Sequence, residues 1–197
     1  MIVKPTAEGL MSQVKPTRGP PPLHLWNPPF CGDIDIRIAR DGTWFYLGTP
    51  IGRAPLVKLF SSILKREGDA YFLVTPVEKV GIRVDDAPLL ATDFTATGTG
   101  RDQILHFTTK TEDEVDADAA HPLTFHISAT GEPTPYLHVR AGLNALIDRK
   151  SFYRLVELGC HEPPFNDSLD TAQPGESWFG LWSHGQFFPI QRSTELT

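Results

Sequence analysis

Ile51-Gly52-Arg53-Ala54-Pro55-Leu56-Val57-Lys58-Leu59-Phe60 and Ile147-Asp148-Arg149-Lys150-Ser151-Phe152-Tyr153-Arg154-Leu155-Val156 carry one pattern twice. From Arg53 to Arg149 the displacement is 96 residues in a chain of 197. In each copy an Ile-x-Arg follows strand-like apolar text and precedes residues with helical spacing. Leu59 and Leu155 are identical, Lys58 and Arg154 agree in charge, and Leu56/Phe152 and Phe60/Val156 keep an apolar stripe. Gly52 and Asp148 differ, yet both suit a helix N-cap. The pattern implies an internal repeat and an α+β fold of two small domains, with strands feeding one amphipathic helix in each. An arginine in the first helical turn adds charge where the helix already carries partial positive charge. Two readings follow for Arg53 and Arg149. Either each pairs with a carboxylate or carbonyl from elsewhere, or the two converge with the helix N-termini on an anionic ligand.

Working outward from the first copy, Ile34, Ile36 and Ile38 alternate with Asp35, Arg37 and Ala39, the period of a half-buried strand. Asp41-Gly42 then suits a two-residue hairpin turn, with Thr43-Trp44-Phe45-Tyr46-Leu47 returning. A helix is expected over residues 52–68, capped by Gly68, then strands over 71–74 and 77–84. The second half reads as mostly antiparallel β. Strands are expected near Ile104, over 123–127 and 136–140, with a solvated acidic tip over 112–118 and a helix from Arg149 to Gly159. A closing hairpin of residues 178–182 and 187–190 turns at His184-Gly185. The opening carries Pro5, Pro16, Pro20, Pro21 and Pro22 and reads as a flexible lead-in. The expected division is therefore 1–22 as lead-in, 23–90 as an α+β domain and 91–197 as a β-rich domain with one helix.

Composition narrows the partner classes. Eighteen basic against 24 acidic residues give a net charge of −6, which argues against direct DNA binding. Cys31 and Cys160 have no paired spacing, so neither a disulfide framework nor a zinc module is expected. The sequence lacks a signal-like start and any apolar run long enough for a membrane span, and a cytoplasmic location is expected.

Cys31-Gly32-Asp33-Ile34-Asp35-Ile36-Arg37-Ile38, Asp41-Gly42-Thr43-Trp44, Gly48-Thr49-Pro50-Ile51-x-Arg53 and Leu73-Val74-Thr75-Pro76-Val77-Glu78-Lys79-Val80 resemble the bacterial family catalogued as domain of unknown function 1285. The likeness continues through Arg140, Gly142-Leu143-Asn144-Ala145 and Ile147-x-Arg149. It implies a two-domain α+β protein with a duplicated core, a C-terminal domain similar to a pleckstrin-homology-like barrel, a site between the halves and a role in signalling or regulation. It carries no catalytic residues.

Enzyme signatures are scarce. The sequence has no Gly-x-Ser-x-Gly elbow, no phosphate-binding Gly-Lys-Ser/Thr loop and no His-Glu-x-x-His helix. His126 and His138 sit on neighbouring expected strands, with His106 or His121 near, but without metal-ligand spacing; no metal or other cofactor is expected. Glu78 and Lys79 alternate on one strand, so one of them points inward, where its charge needs a partner; Arg53 is the expected partner of Glu78. The leading expectation is a binding or regulatory module. Its small ligand, an anion or nucleotide, would be held by Arg53, Arg149, Thr75, Glu78, Lys79 and Asn144 against a wall of Trp44 and Tyr46. The alternatives are a hydrolase with Glu78 or a histidine as general base, and an adaptor for a signalling protein partner using exposed Trp178 and Trp182.

Overall fold

The computed structural model describes residues 5–14, 19, 21–163 and 177–195. The chain divides into two compact units, Met1–Leu89 with Ala141–Leu143, and Leu90–Arg140 with Asn144–Thr197. No helix among the described residues is long and apolar enough to cross a membrane.

The first unit is built on one six-stranded sheet. Its strands are β1 (Phe30–Ile38), β2 (Trp44–Tyr46), β3 (Thr49–Pro50), β4 (Leu64–Glu67), β5 (Ala70–Val74) and β6 (Lys79–Val84), in the order β3-β2-β1-β6-β5-β4. Two antiparallel meanders, β1 to β3 and β4 to β6, join where β6 runs parallel to β1. The alternation in β1 works as expected: Ile34, Ile36 and Ile38 are buried, while Asp35 and Arg37 face out to ion pairs with Arg83 and Asp85. The hairpin turn differs from the two-residue form. Gly42 N–H donates to the Ala39 carbonyl and Gly42 alone is left-handed, so the turn spans residues 39–42 and Gly42 absorbs the reversal. The helix α2 (Ala54–Ser62) is shorter than the sequence suggests, because Leu64–Glu67 leaves it as β4 and Gly68 makes the β4–β5 turn at φ 60°. Ile63 and Leu64 are both buried, while Lys65 and Arg66 are partly exposed, a pattern that fits a strand as well as a helix over so short a run.

The opening segment is not wholly loose. Helix α1 (Ala7–Gln13) starts at Thr6, whose side chain accepts from Gly9 N–H, and it buries Ala7 and Leu10. Pro20, Pro21 and Pro22 stand directly before the single 3-10 turn Leu23–Leu25 in the sequence, and no proline falls within α1.

The second unit repeats the strand plan. Its strands β7 (Leu89–Thr97), β8 (Ile104–Thr109), β9 (Glu114–Asp116), β10 (Leu123–Ile127), β11 (Pro133–Arg140) and β12 (Leu143–Ile147) lie in the order β10-β11-β12-β7-β8-β9. Again the sixth strand sits beside the first, so the two sheets resemble each other strand for strand. Each unit also has its strand-to-helix junction, but the junctions fall at different points of the repeat. Helix α2 lies between the third and fourth strands of its sheet, whereas α3 (Arg149–Val156) follows the sixth. Arg53 and Arg149 are therefore not equivalent positions in the duplicated strand order.

The second sheet curls. Three strands separate β11 from β9, yet Arg140 at the end of β11 pairs at 2.7 Å with Asp113, which immediately precedes β9. Side chains at the two ends of a flat sheet lie far out of reach, since adjacent strands are about 4.8 Å apart. The sheet is thus a half-barrel whose seam lies between β9 and the end of β11. The acidic stretch expected to be a solvated tip supplies β9 itself, with Val115 turned inward.

A third sheet, β13 (Cys160–Glu162), β14 (Trp178–Ser183) and β15 (Gln186–Arg192), completes this unit. Gln103 Nε2 donates to the Trp182 carbonyl and Leu105 N–H to Ser183 Oγ, tying β14 to β8. The β14–β15 turn is the expected two-residue type, with both His184 (φ 49°) and Gly185 (φ 71°) left-handed. Helix α3 begins at Asp148, whose side chain accepts from Ser151 N–H, and Arg154 anchors it through Asp93 and the Phe94 carbonyl.

Candidate functional site

The seam of the second sheet opens as a cleft of about 580 Å³ bordered by His106, Asp113, Glu114, Val115, Asp116, Asp118, His121, Val139 and Arg140. Alternation along the strands builds it. Leu105, Phe107, Val115 and Val139 face the core, which turns His106, Asp116 and Arg140 outward. His106 and Asp116 are direct partners in the β8–β9 register, so their side chains meet on that outer face.

Asp116 is the hub. Its Oδ1 lies 2.5 Å from His106 Nδ1 and its Oδ2 lies 3.0 Å from His184 Nε2. A carboxylate oxygen only accepts, so both facing ring nitrogens carry protons, and the neutral rings keep His106 Nε2 and His184 Nδ1 as their basic nitrogens. The hydrogen bond from His106, then that from His184, holds the Asp116 carboxyl below the ordinary aspartate range. The left-handed backbone of His184 is an uncommon state for a residue with a Cβ, and it coincides with this contact.

A second pair lies alongside. Asp118 Oδ1 accepts from the backbone N–H of Ala120 and of His121 and lies 3.0 Å from His121 Nδ1. Desolvation pushes the Asp118 carboxyl up, but the His121 backbone and side chain and the Ala120 N–H outweigh it, and the carboxyl is lowered. The His121 ring stacks on His138 at 6.3 Å, and His138 Nδ1 lies 3.2 Å from Asn144 Oδ1. His126 and His138 do not face each other. His126 is opposite Thr134 in the β10–β11 register and its ring packs on Tyr136.

Residues 21–87 match the N-terminal domain model of the domain of unknown function DUF1285, and residues 88–190 match its C-terminal domain model. The chain belongs to the DUF1285 family. A DUF1285 family protein from Silicibacter pomeroyi DSS-3 is similar in structure, with 57% identity, 97% of each chain covered and a TM-score of 0.84. One from Shewanella baltica OS155 has 33% identity over 68% of this chain and 94% of its own, with a TM-score of 0.50. No curated protein matches. The family fixes the two-domain α+β architecture and names no activity.

The residues singled out from sequence fall elsewhere. Arg53 is the N-cap residue of α2, exposed, and its side chain has no partner among the described residues; it is not paired with Glu78. Glu78 instead accepts from Gln13 Nε2 at 2.8 Å, and Thr75 Oγ1 donates to Gln13 Oε1 at 2.7 Å. Thr75 also accepts from Glu78 N–H, so Thr75 and Glu78 form a turn on which α1 docks. Lys79 pairs with Glu67 at 2.8 Å and lies over the Phe72 ring. Trp44 is no pocket wall: it is 2% exposed and stacks on Phe60 in the core, with Tyr46 half-buried at the end of the same short strand. Arg149 is exposed and donates to the Tyr153 hydroxyl one turn on, rather than pairing with a carboxylate. Trp182 is buried, with Nε1 donating to Glu162, and Trp178 is half-buried, so neither is an exposed adaptor surface. Asn144 alone borders the histidine cluster, through His138. Sequence reasoning set His106 and His121 beside His138 only as weak metal candidates and did not join His106 to Asp116 and His184. The usable signal was His106 and Asp116 on either side of the Thr109–Asp113 turn, at mirrored positions of a hairpin.

Proposed function

We propose that this protein is a binding and regulatory module whose small ligand occupies the seam cleft of the second domain. One observation carries the reading. Four carboxylates, Asp113, Glu114, Asp116 and Asp118, border the cleft, and its guanidinium, Arg140, is already paired with Asp113. The expected ligand is then a small cation or a molecule rich in hydrogen-bond donors, because an anion would meet uncompensated like charge there. Mouths of barrel-like sheets are common ligand sites, and these polar groups are not needed to satisfy a buried core. The curled sheet followed by α3 supports the pleckstrin-homology-like reading of this domain, and with it a signalling role.

Thermal shift tests the proposal, since a ligand that binds only the folded state raises the melting temperature. Agmatine and spermidine should stabilise the wild type, and the double variant D113N/D118N should lose that response. Stabilisation by inorganic phosphate or nucleotides alone, or by no member of the panel, would sink it.

A further inference from the structure

The cleft holds a set of groups that ligand retention by itself does not call for. His106 borders it with Nδ1 fixed against Asp116 and Nε2 left as the basic nitrogen, while His184 engages the other oxygen of the same carboxylate. An imidazole so oriented has a defined tautomer, and the ionised carboxylate behind it stabilises the imidazolium that forms when Nε2 takes a proton. Side chains of His106 and Asp116 are 42% and 39% exposed, so the pair is accessible to solvent and does not exist to neutralise a buried charge. We infer that the cleft is a general-base site in which His106 activates water against a neutral or cationic carboxylic ester, with Asp116 as its positioning residue. The inference rests on the reading of this cleft as the ligand site.

The reaction class follows from what borders the cleft. Its lining contains no serine, threonine, cysteine or lysine, so no hydroxyl, thiol or amine nucleophile is at hand, and the group that His106 would activate is water. The four carboxylates disfavour phosphate esters, which leaves a neutral or cationic carbonyl compound as substrate. Water oxygen bonds to the carbonyl carbon as His106 Nε2 takes its proton. The carbon–oxygen bond to the alcohol then breaks, and the departing oxygen takes that proton back from the imidazolium. Ester and water thus become acid and alcohol with His106 regenerated. The charged groups facing His106 across this site are Asp116 on β9 and, beyond it, His184 in the β14–β15 turn. Asp113, Glu114, Asp118, His121 and Arg140 complete the rim.

Hydrolysis of p-nitrophenyl butyrate and of p-nitrophenyl phosphate by the full chain tests this. Wild type should turn over the butyrate and not the phosphate, and His106→Gln should lower the rate by about a hundredfold or more. Asp116→Asn should both slow the reaction and move the acidic limb of the pH–rate profile to lower pH, because the imidazolium loses its carboxylate; a merely structural role would leave the profile in place. Equal rates for wild type and His106→Gln overturn the inference. If agmatine still raises the melting temperature of both proteins in that case, the binding role survives and only catalysis falls.

Discussion

Arg140 at the end of β11 and Asp113 just before β9 form a 2.7 Å ion pair, although those strands stand four places apart in the sheet order. Asp113 is already held in place by Thr109 and Thr111 hydroxyls, so the pair closes the half-barrel against a rigid turn rather than a free side chain. Both partners are partly shielded from solvent, which places the coupling at the upper end for accessible ion pairs, about 1 kcal/mol. A double-mutant cycle of Arg140→Ala and Asp113→Ala, read by urea unfolding, should return that coupling. A value near zero would mean that backbone pairing alone sets the curl.

Acid should loosen the same domain. Asp116 titrates lower in the folded chain than in the unfolded one, where aspartate lies at about 3.9. A depressed carboxylate contributes stability that is complete above its unfolded value and is lost as pH falls through its folded value. The urea midpoint of wild type should therefore exceed that of Asp116→Asn at neutral pH, and the difference should shrink below about pH 4. A difference that stays constant down to pH 2 would contradict the hydrogen-bonded hub.

How much of this was legible differs by element. The two hairpins at β1–β2 and β14–β15 were, because Ile34-x-Ile36-x-Ile38 and the residues around His184-Gly185 state period and turn within a dozen positions. Helix α2 was legible at its start, where Pro55 fits the first turn, and not at its end, where Ile63 and Leu64 continue an apolar run into β4. Strand β9 hid because three residues among acidic neighbours expose only Val115 to the core. The cleft hid for a deeper reason: His106 and Asp116 meet in the local β8–β9 register, but Arg140 arrives through sheet curvature and His184 through the docking of β14 on β8, neither of which is a local property.

Helix α1 was invisible as well, since seven residues with Gly9 among them have little intrinsic helicity. Its stability must come from docking, through Leu10, which is 0% exposed, and through Gln13 between Thr75 and Glu78. Leu10→Ala should weaken that docking by about 2–4 kcal/mol, enough to release the helix while the sheet stays folded. Hydrogen exchange should then accelerate over residues 7–13 and at the 75–78 turn, with the amides of β1 and β6 unchanged. Unaltered protection in α1 would show that it is held by something other than Leu10.

Gly180 and Gly159 separate two kinds of crowding in the third sheet. A Cβ on Gly180 would stand 2.4 Å from the Phe188 carbonyl oxygen and 2.9 Å from Pro189 Cα, both backbone atoms of the paired strand β15. The nearest atoms that one on Gly159 would meet belong to the Phe179 ring. A ring can turn aside, whereas the β15 backbone can retreat only by breaking its ladder with β14, which already shifts register between Phe179 and Gly180. Gly180→Ala should therefore destabilise by about 1–3 kcal/mol, the usual range for overpacking a core. Gly159→Ala should lose clearly less. Urea unfolding of the two variants decides the order, and a larger loss for Gly159→Ala would mean that the Phe179 ring, wedged against His161 at 5.2 Å, is the less movable partner.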